Sequence, residues 1–305
     1  MTFPISISFP FDQIHSPKEF VTFDAVREIA SAAQSAGFTS GCVTDHPIPS
    51  HRWLDNGGHY AQDPFVMLSL VAAVTTTLGL QTNILVLPYR NPFLTARAVS
   101  SLDVFSGGRV ILGVGSGYLK PEFKALGVDF DARNNLTDEY LVALKLALTG
   151  DDFAFDGTNY TAVGNRLLPT SLQRPHPPIL VGGNSKRAIR RAVDFGDAWH
   201  PFVAPSYVTQ TSRTATLEGA HDLVSAMGYL REYSAQVGRD TPPRVFASGT
   251  FRIEPGWSAL EAVDHFSSLQ ASGVHGSGAS IAAQTRGEWC DQAHKFGVEV
   301  LAKLG

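Results

Sequence analysis

Short apolar runs alternate with longer stretches of helical periodicity along the chain. Residues 5–9 alternate apolar residues with serine and precede Pro10, which is typical of a strand. A helix is then predicted from a Thr22 cap to a stop at Gly37, and its apolar face carries Val26, Ile29, Ala30 and Ala33. A strand followed by a helix recurs with connections of a few residues. This order predicts right-handed βαβ units and a parallel sheet.

The same pattern continues to the end of the chain. Further strands are predicted at residues 38–44, 80–87, 109–117, 178–181, 197–200, 244–253 and 274–281. Further helices are predicted from Asp63-Pro64 to Gly79, from Asn91-Pro92 to Phe105, and at residues 136–148, 186–195, 258–272 and 286–304, with another between 206 and 237. Eight strand–helix units in about 300 residues fit an α/β fold of the (β/α)8 TIM-barrel class better than an open sheet.

Two segments depart from the regular alternation. Residues 48–62 are polar and are predicted to form a loop, and residues 153–160 predict a small hairpin around Asp156-Gly157. We therefore expect one barrel domain over residues 1–305, with an insertion near the middle. For the third helix, the predicted core face consists of Leu94, Ala98, Leu102 and Phe105.

Composition narrows the class of protein. The net charge of -4 and the absence of a basic run argue against nucleic acid or an anionic membrane as the main partner. Cys42 and Cys290 are too few for a disulfide framework, and no apolar run reaches the length of a membrane span. A soluble cytoplasmic protein with a small-molecule partner is the expectation.

Three glycines at alternating positions, Gly113, Gly115 and Gly117, end the strand at residues 109–117. A dinucleotide fingerprint is disfavoured because Tyr118 stands where that motif needs a small residue, and no second strand ends in an acidic residue at the required distance. Glycines in this arrangement predict a backbone that closely approaches something flat or charged.

His46 is the leading ionisable candidate, since it follows a predicted strand and can exchange a proton near neutral pH. The alternative is a turn histidine bonded to nearby backbone. A metal site could use His46, His51 and His59, but their spacing matches no known ligand pattern and we predict no metal. Asn83, a polar residue inside a predicted buried strand, needs a partner or an unusual backbone.

A second candidate site is Gly182-Gly183-Asn184-Ser185, where a strand ends and a helix begins. The exposed N–H groups of such a turn can hold a phosphate. Lys186 and Arg187 in the first turn of the helix oppose its dipole, which makes more sense if an anion binds there. An ordinary strand–helix turn is the alternative interpretation.

Three stretches, residues 36–46, 91–117 and 178–199, carry a resemblance to a known family. In content, order and spacing they resemble the bacterial-luciferase-like superfamily of flavin- and deazaflavin-dependent oxidoreductases. The resemblance implies a (β/α)8 barrel, usually a homodimer, that uses FMN or the deazaflavin coenzyme F420. It also implies a bulge of the third strand at Asn83-Ile84, often with a non-proline cis peptide bond.

The resemblance assigns roles to the strand-end residues. His46 corresponds to a histidine near the position of hydride transfer. The other implied cofactor contacts are Asp45, Asn83, Ile84, Gly115, Ser116, Gly117 and Tyr118 around the ring, and Gly182, Gly183, Asn184 and Ser185 at the phosphate. Some deazaflavin dehydrogenases have a proton-donating glutamate at the position of Tyr118, and Glu122 is a possible substitute. Trp53, Tyr60, Tyr118 and Trp199 suggest an aromatic cleft.

The expected activity is hydride transfer between reduced coenzyme F420 and a small organic substrate. An FMN-dependent two-component monooxygenase is the first alternative, and a non-catalytic flavin-binding relative is the second. The F420 and FMN branches share the scaffold, so the fold alone does not decide between them.

Overall fold

The structure, a computed structural model, describes residues 3–13, 16–211 and 213–304. Its strands are β1 (Ile5–Ser8), β2 (Ser40–Val43), β3 (Gly79–Thr82), β4 (Leu85–Val86), β5 (Val110–Gly115), β6 (Phe153–Asp156), β7 (Thr161–Asn165), β8 (Ile179–Gly182), β9 (Ala198–His200), β10 (Arg244–Ile253) and β11 (Gly276–Ile281). Nine of them form one parallel sheet in the order β3-β2-β1-β11-β10-β9-β8-β5-β4. Because β3 also pairs with β5, the sheet closes into a barrel, and the (β/α)8 prediction is confirmed.

The strands β3 and β4 together fill one of the eight barrel positions. They are separated by a cis peptide bond between Asn83 and Ile84, at the predicted bulge. The β3 half pairs with β2 and β5, and the β4 half continues along β5 alone. The interruption therefore turns Asn83 and Ile84 toward the carboxyl end of the barrel without opening the sheet.

The helices surround the barrel. They are α1 (Pro17–Phe20), α2 (Phe23–Ala36), α3 (His51–Asp55), α4 (Pro64–Val74), α5 (Pro92–Ser106), α6 (Lys120–Ala125), α7 (Arg133–Leu148), α8 (Lys186–Phe195), α9 (Ser206–Thr211), α10 (Ala220–Gln236), α11 (Ala259–Ala271) and α12 (Arg286–Glu299). The side chains of Thr22, Asp63 and Asn91 accept backbone N–H groups at the starts of α2, α4 and α5, as their sequence context predicts. No helix in the described ranges is both long and apolar enough to cross a membrane.

Several predicted boundaries were wrong. The polar segment 48–62 contains the short helix α3, which begins at the cap Ser50. The predicted helix between 206 and 237 is two helices, α9 and α10, and residue 212 between them lies outside the described residues. The helix after Asp63 ends at Val74, and Gly79 opens β3 rather than stopping the helix. The hairpin exists but pairs β6 with residues 161–165, beyond its predicted end.

The predicted core face of α5 was also wrong in part. Leu94 and Phe105 are 70% and 88% exposed, whereas Leu102 is buried. The helix instead buries small and polar residues such as Ala96, Ser100 and Asp103, because the segment before β8 covers that face and needs hydrogen bonds. Asp103 accepts from the backbone and side-chain amides of Gln173, and Ser100 donates to Pro169 O.

Candidate functional site

A cavity of about 600 Å³ opens at the carboxyl ends of the barrel strands. This volume is in the range of ligand sites for cofactor-sized molecules. Nine of the eleven predicted cofactor contacts line it, together with the predicted catalytic His46: Asp45, Asn83, Ile84, Ser116, Gly117, Tyr118, Gly182, Gly183 and Ser185. Gly115 and Asn184 do not line it. The sequence therefore located ten of the residues that line the cavity, and some of these also make hydrogen bonds within the protein.

The alternating glycines at the end of β5 and just after it make room for the neighbouring strand. A Cβ on Gly113 would lie 2.1 Å from Thr82 O, and one on Gly115 would lie 2.0 Å from Ile84 Cδ1. On Gly117, whose φ is +72°, it would lie 2.6 Å from a methyl group of Val86. The three glycines thus face the β3–β4 segment at the level of the bulge. The close approach predicted from the glycines exists, and its partner is protein.

Asp45 and Asn184 hold loops in place. Asp45 is buried, accepts Val86 N–H at 2.9 Å, and forms a two-pronged ion pair with Arg90 at 2.6 and 3.0 Å. Its oxygens are therefore engaged by the protein, and it fixes the end of β2 to β4. Asn184 accepts Phe202 N–H and donates to the carbonyl oxygens of Phe202 and Ala215, which anchors the loop after β9.

Four side chains, which we call the inner cluster, are joined by hydrogen bonds at one end of the cavity: His46, Tyr89, Tyr118 and Glu122. Of these, His46 and Tyr118 line the cavity. His46 Nδ1 lies 3.2 Å from Glu122 Oε2, and His46 Nε2 lies 3.3 Å from the Tyr118 hydroxyl oxygen. Glu122 also accepts the Tyr89 hydroxyl at 3.0 Å and Ile48 N–H at 3.2 Å. Because Glu122 is fully buried behind His46, it contacts the cavity only through the imidazole.

The hydroxyl groups of the inner cluster stay protonated. Burial, followed by the nearby Glu122 charge, raises the pKa of Tyr118 and of Tyr89. Since Glu122 oxygens accept hydrogen bonds, His46 Nδ1 carries a proton. In the neutral imidazole, Nε2 then accepts from the Tyr118 O–H, and in the protonated imidazole Nε2–H donates to the Tyr118 oxygen. This geometry therefore allows a proton to pass between His46 Nε2 and the Tyr118 oxygen.

A second histidine, His200 at the end of β9, holds the bulge from the opposite wall. Its Nδ1 lies 2.5 Å from Phe246 O, and its Nε2 lies 2.9 Å from the Asn83 atom placed as Oδ1. Burial lowers the pKa of His200 to about 4, so the ring is neutral at pH 7. Nδ1–H is used by the carbonyl, and Nε2 accepts from Asn83 when its NH2 group faces His200.

The opposite end of the cavity lies at the start of α8. Ser185 caps this helix by accepting Ala188 N–H at 3.1 Å, and the remaining first-turn N–H groups have no partner within the helix. Gly183 has a φ of +113°, and Trp199 fixes it from behind by donating to its carbonyl at 2.8 Å. These features fit an anionic group such as a phosphate.

The cations at this end are not the predicted ones. Arg187 turns to Asp138 at 2.6 Å, and Lys186 lies over the Tyr229 ring. The arginines that line the cavity are Arg133, Arg191 and Arg213. Arg191 is buried and paired with Asp138. Its position in the apolar face of α8, beside Ala188 and Ala192, was the available sequence signal, whereas Arg133 and Arg213 gave none.

The aromatic cleft was predicted only in part. Trp199 belongs to the core, and Tyr60 donates to Gln13 O. Trp53 packs on His46 at 4.8 Å between ring centroids, and Tyr118 alone of the four lines the cavity. The rings of His46 and His59 lie 4.8 Å apart. Within the described ranges, no three His, Cys, Asp or Glu residues are arranged to hold a metal ion.

The fold and the arrangement of strand-end residues define a barrel with a ligand-sized cavity at the carboxyl ends of its strands. Comparison with known proteins identifies the family to which the chain belongs. The family model for luciferase-like monooxygenases matches residues 1–270. The chain therefore belongs to the luciferase-like monooxygenase family.

Two relatives whose names state different cofactors have similar sequence identity to this chain. It is 34% identical over 169 residues to an FMNH(2)-dependent dimethylsulfone monooxygenase of Pseudomonas putida, covering 54% of this chain and 45% of that protein. It is 30% identical over 173 residues to an F420-dependent hydroxymycolic acid dehydrogenase of Mycobacterium tuberculosis, covering 56% and 46%. The chain thus spans about half the length of these curated relatives.

Similarity to solved structures extends over the whole barrel. The coenzyme F420 dependent tetrahydromethanopterin reductase from Methanopyrus kandleri superposes with a TM-score of 0.75 at 16% identity, covering 100% of both chains. The same fold is therefore present along the full length of this chain.

Proposed function

We propose that the protein transfers a hydride between reduced coenzyme F420 and a small organic substrate. The observation that carries the proposal is the inner cluster, in which a buried imidazole and a protonated tyrosine hydroxyl meet at the cavity wall. Reduction of a carbonyl or an activated alkene needs a proton as well as a hydride. When bound, a reduced deazaflavin supplies the hydride.

The protein supplies the proton. Tyr118 gives its O–H proton to the substrate atom that has gained negative charge, and the protonated His46 replaces it from Nε2. Glu122 holds Nδ1 and stabilises the imidazolium charge before transfer. After transfer His46 is neutral, and the Tyr118 O–H points back to Nε2. In this scheme Glu122 positions His46 and does not replace the glutamate found at the position of Tyr118 in other deazaflavin enzymes.

The cavity fits such a cofactor in size and in the polarity of its two ends. Ser116, Gly117 and the Asn83-Ile84 bulge would border the ring, and Gly182, Gly183 and Ser185 would hold the phosphate. We also propose that residues 1–305 form one barrel domain, that the protein acts in the cytoplasm and that it forms a homodimer.

The second candidate is an FMN-dependent two-component monooxygenase. Its support is the 34% identity to the FMNH(2)-dependent dimethylsulfone monooxygenase, which slightly exceeds the identity to the F420-dependent relative. The same inner cluster would then face the site of oxygen chemistry.

Fluorescence titration of the purified protein with coenzyme F420 and with FMN, side by side, tests the proposal. We expect micromolar or tighter binding of F420 and much weaker binding of FMN. The reverse preference would replace the first candidate by the second. Turnover of a panel of reducible carbonyls and activated alkenes with reduced F420 then defines the substrate.

A further inference from the structure

A group of three cations surrounds one phenyl ring at the outer end of the cavity. The Phe130 ring has Arg133 Cζ at 3.9 Å, Arg213 Cζ at 5.4 Å and Lys120 Nζ at 5.9 Å from its centroid. The cations come from separate segments: the start of α6, the start of α7 and the loop after α9. We call these four residues the rim cluster. Phe130 is held from the core side by Phe123, whose ring centroid lies 5.2 Å away.

The positive charges of the rim cluster have no acidic partner close by. Over the described parts of the chain, none of the three cations lies within ion-pair distance of a carboxylate. Arg133 donates one hydrogen bond to Phe130 O, and Asp131 is near enough only for a longer-range attraction. By contrast Arg191, which lines the same cavity, is paired with Asp138. An aromatic face attracts cations but does not cancel their charge.

The two arginines of the rim cluster reach the ligand cavity. Arg133 and Arg213 line it together with Gly182, Gly183 and Ser185. A ligand whose phosphate binds at the start of α8 would have any further acidic groups near these arginines. Three like charges gathered without a counter-charge raise the free energy of the ligand-free protein, and a bound anion would remove that cost.

We propose that Lys120, Arg133 and Arg213 form a carboxylate-binding site at the outer end of the cavity. The inference rests on the proposed cofactor function of that cavity. The carboxylates have two chemical sources, the oligoglutamate tail of coenzyme F420 or an acidic substrate. Phosphate alone, at the end of FMN, would not need this second set of cations.

The test uses the double variant Lys120→Gln with Arg213→Gln, because neither side chain hydrogen-bonds to another residue of the described ranges. Arg244→Gln is the matched control, since Arg244 also lies over a phenyl ring, that of Phe246 at 4.8 Å, but outside the cavity. Each protein is titrated at low salt with coenzyme F420 and with the same cofactor after removal of its glutamates. Thermal unfolding without ligand is measured in parallel.

If the tail is the ligand, the unaltered protein binds the tailed cofactor about tenfold more tightly, as expected for two or three partly exposed ion pairs. The double variant loses this preference, binds the tail-free form unchanged and unfolds at the same or a higher temperature. Arg244→Gln keeps the preference. An equal preference in the double variant would overturn the assignment to the tail.

Citrate is the probe for the second source. Calorimetric binding of citrate to the protein loaded with tail-free cofactor, lost in the double variant, would assign the site to an acidic substrate. Absence of both the tail preference and citrate binding would overturn the proposal. If FMN binds and neither deazaflavin does, the proposed cofactor fails, and citrate binding to the FMN-loaded protein still decides whether the rim cluster binds carboxylates.

Discussion

The inner cluster and the rim cluster both use residues of α6, but they differ in whether their charged groups have partners within the protein. Glu122, on this helix, is fully buried, and its oxygens have three protein donors: His46 Nδ1, Ile48 N–H and the Tyr89 hydroxyl. Lys120, two residues earlier, faces the Phe130 ring and two arginines. The six-residue helix α6 therefore carries Glu122, whose oxygens have hydrogen-bond donors within the protein, and Lys120, which lies among cations that have no acidic partner.

This difference separates chemistry from binding. Groups that hold and move a proton work best when their partners are fixed before the substrate arrives, because no reorganisation is then needed. Groups that recognise an anion must remain without a partner until the ligand supplies one. We therefore expect variants of the inner cluster to change turnover, and variants or salts that affect the rim cluster to change affinity.

The largest effect is expected for His46→Ala. Loss of a general acid lowers kcat by about 10²–10⁴-fold, while the dissociation constant of the cofactor should change by less than about threefold. Steady-state turnover with the best substrate of the panel, together with fluorescence titration, measures both. Lys186→Ala, which removes a cation outside the cavity, is the control. Unchanged turnover in His46→Ala would remove the catalytic role of the inner cluster.

The neutral state of His200 predicts a pH-dependent stability. Its pKa is lowered from 6.5 to about 4, so between these values the folded protein binds fewer protons than the unfolded chain. The free energy of unfolding therefore falls as the pH falls from 6.5 to 4, by about 3 kcal/mol from this group. Urea unfolding across this range should show a flatter pH dependence in His200→Gln.

The exposed His221 provides the control for that experiment, since its side chain is 97% exposed. His221→Gln should keep the pH dependence of the parent. If the free energy of unfolding of His200→Gln has the same pH dependence as that of the parent, the lowered pKa of His200 is not the cause of that dependence.

The fold could be predicted because the barrel depends on local periodicity. The caps Thr22, Asp63 and Asn91 and the strand at 244–253 are all visible within a few residues of sequence. The buried face of α5 could not be predicted, because α5 carries apolar residues on two sides and only the packing of the later segment around Pro169 selects one.

The site was predictable where strand order alone brings residues together. His46, Asn83, Ser116 and Gly182 each follow or end a strand, and parallel strands of a barrel place their carboxyl ends on one face. The partners of His46 were harder to find, because Glu122 comes from a helix 76 residues away. The direction of Lys186 and Arg187 depended on Asp138 and Tyr229, which no local pattern reveals.

A glycine substitution tests whether cofactor binding depends on the shape of the bulge at Asn83-Ile84. Gly115→Ala places a methyl group against Ile84 Cδ1, where the available distance is 2.0 Å. We expect a loss of about 1–3 kcal/mol in the free energy of unfolding and weaker cofactor binding, because overpacking shifts Ile84 into the cavity. Adding Ile84→Ala should restore part of both losses. Gly287→Ala is the control, because a Cβ there has no neighbour within 4 Å and the backbone is outside the left-handed region.

The smallest expected effect, and the most direct test of the comparison, is that of salt. The rim cluster lies at the cavity mouth, where charges are screened over about 10 Å at 0.1 M ionic strength. Raising NaCl from about 0.05 to 0.5 M should weaken binding of tailed F420 roughly threefold to tenfold, as expected for a few exposed ion pairs. The turnover number at saturating cofactor should change by less than about twofold, because the inner cluster is buried and its charges are matched within the protein. A salt effect of equal size on both quantities would mean that the two clusters do not divide binding from chemistry.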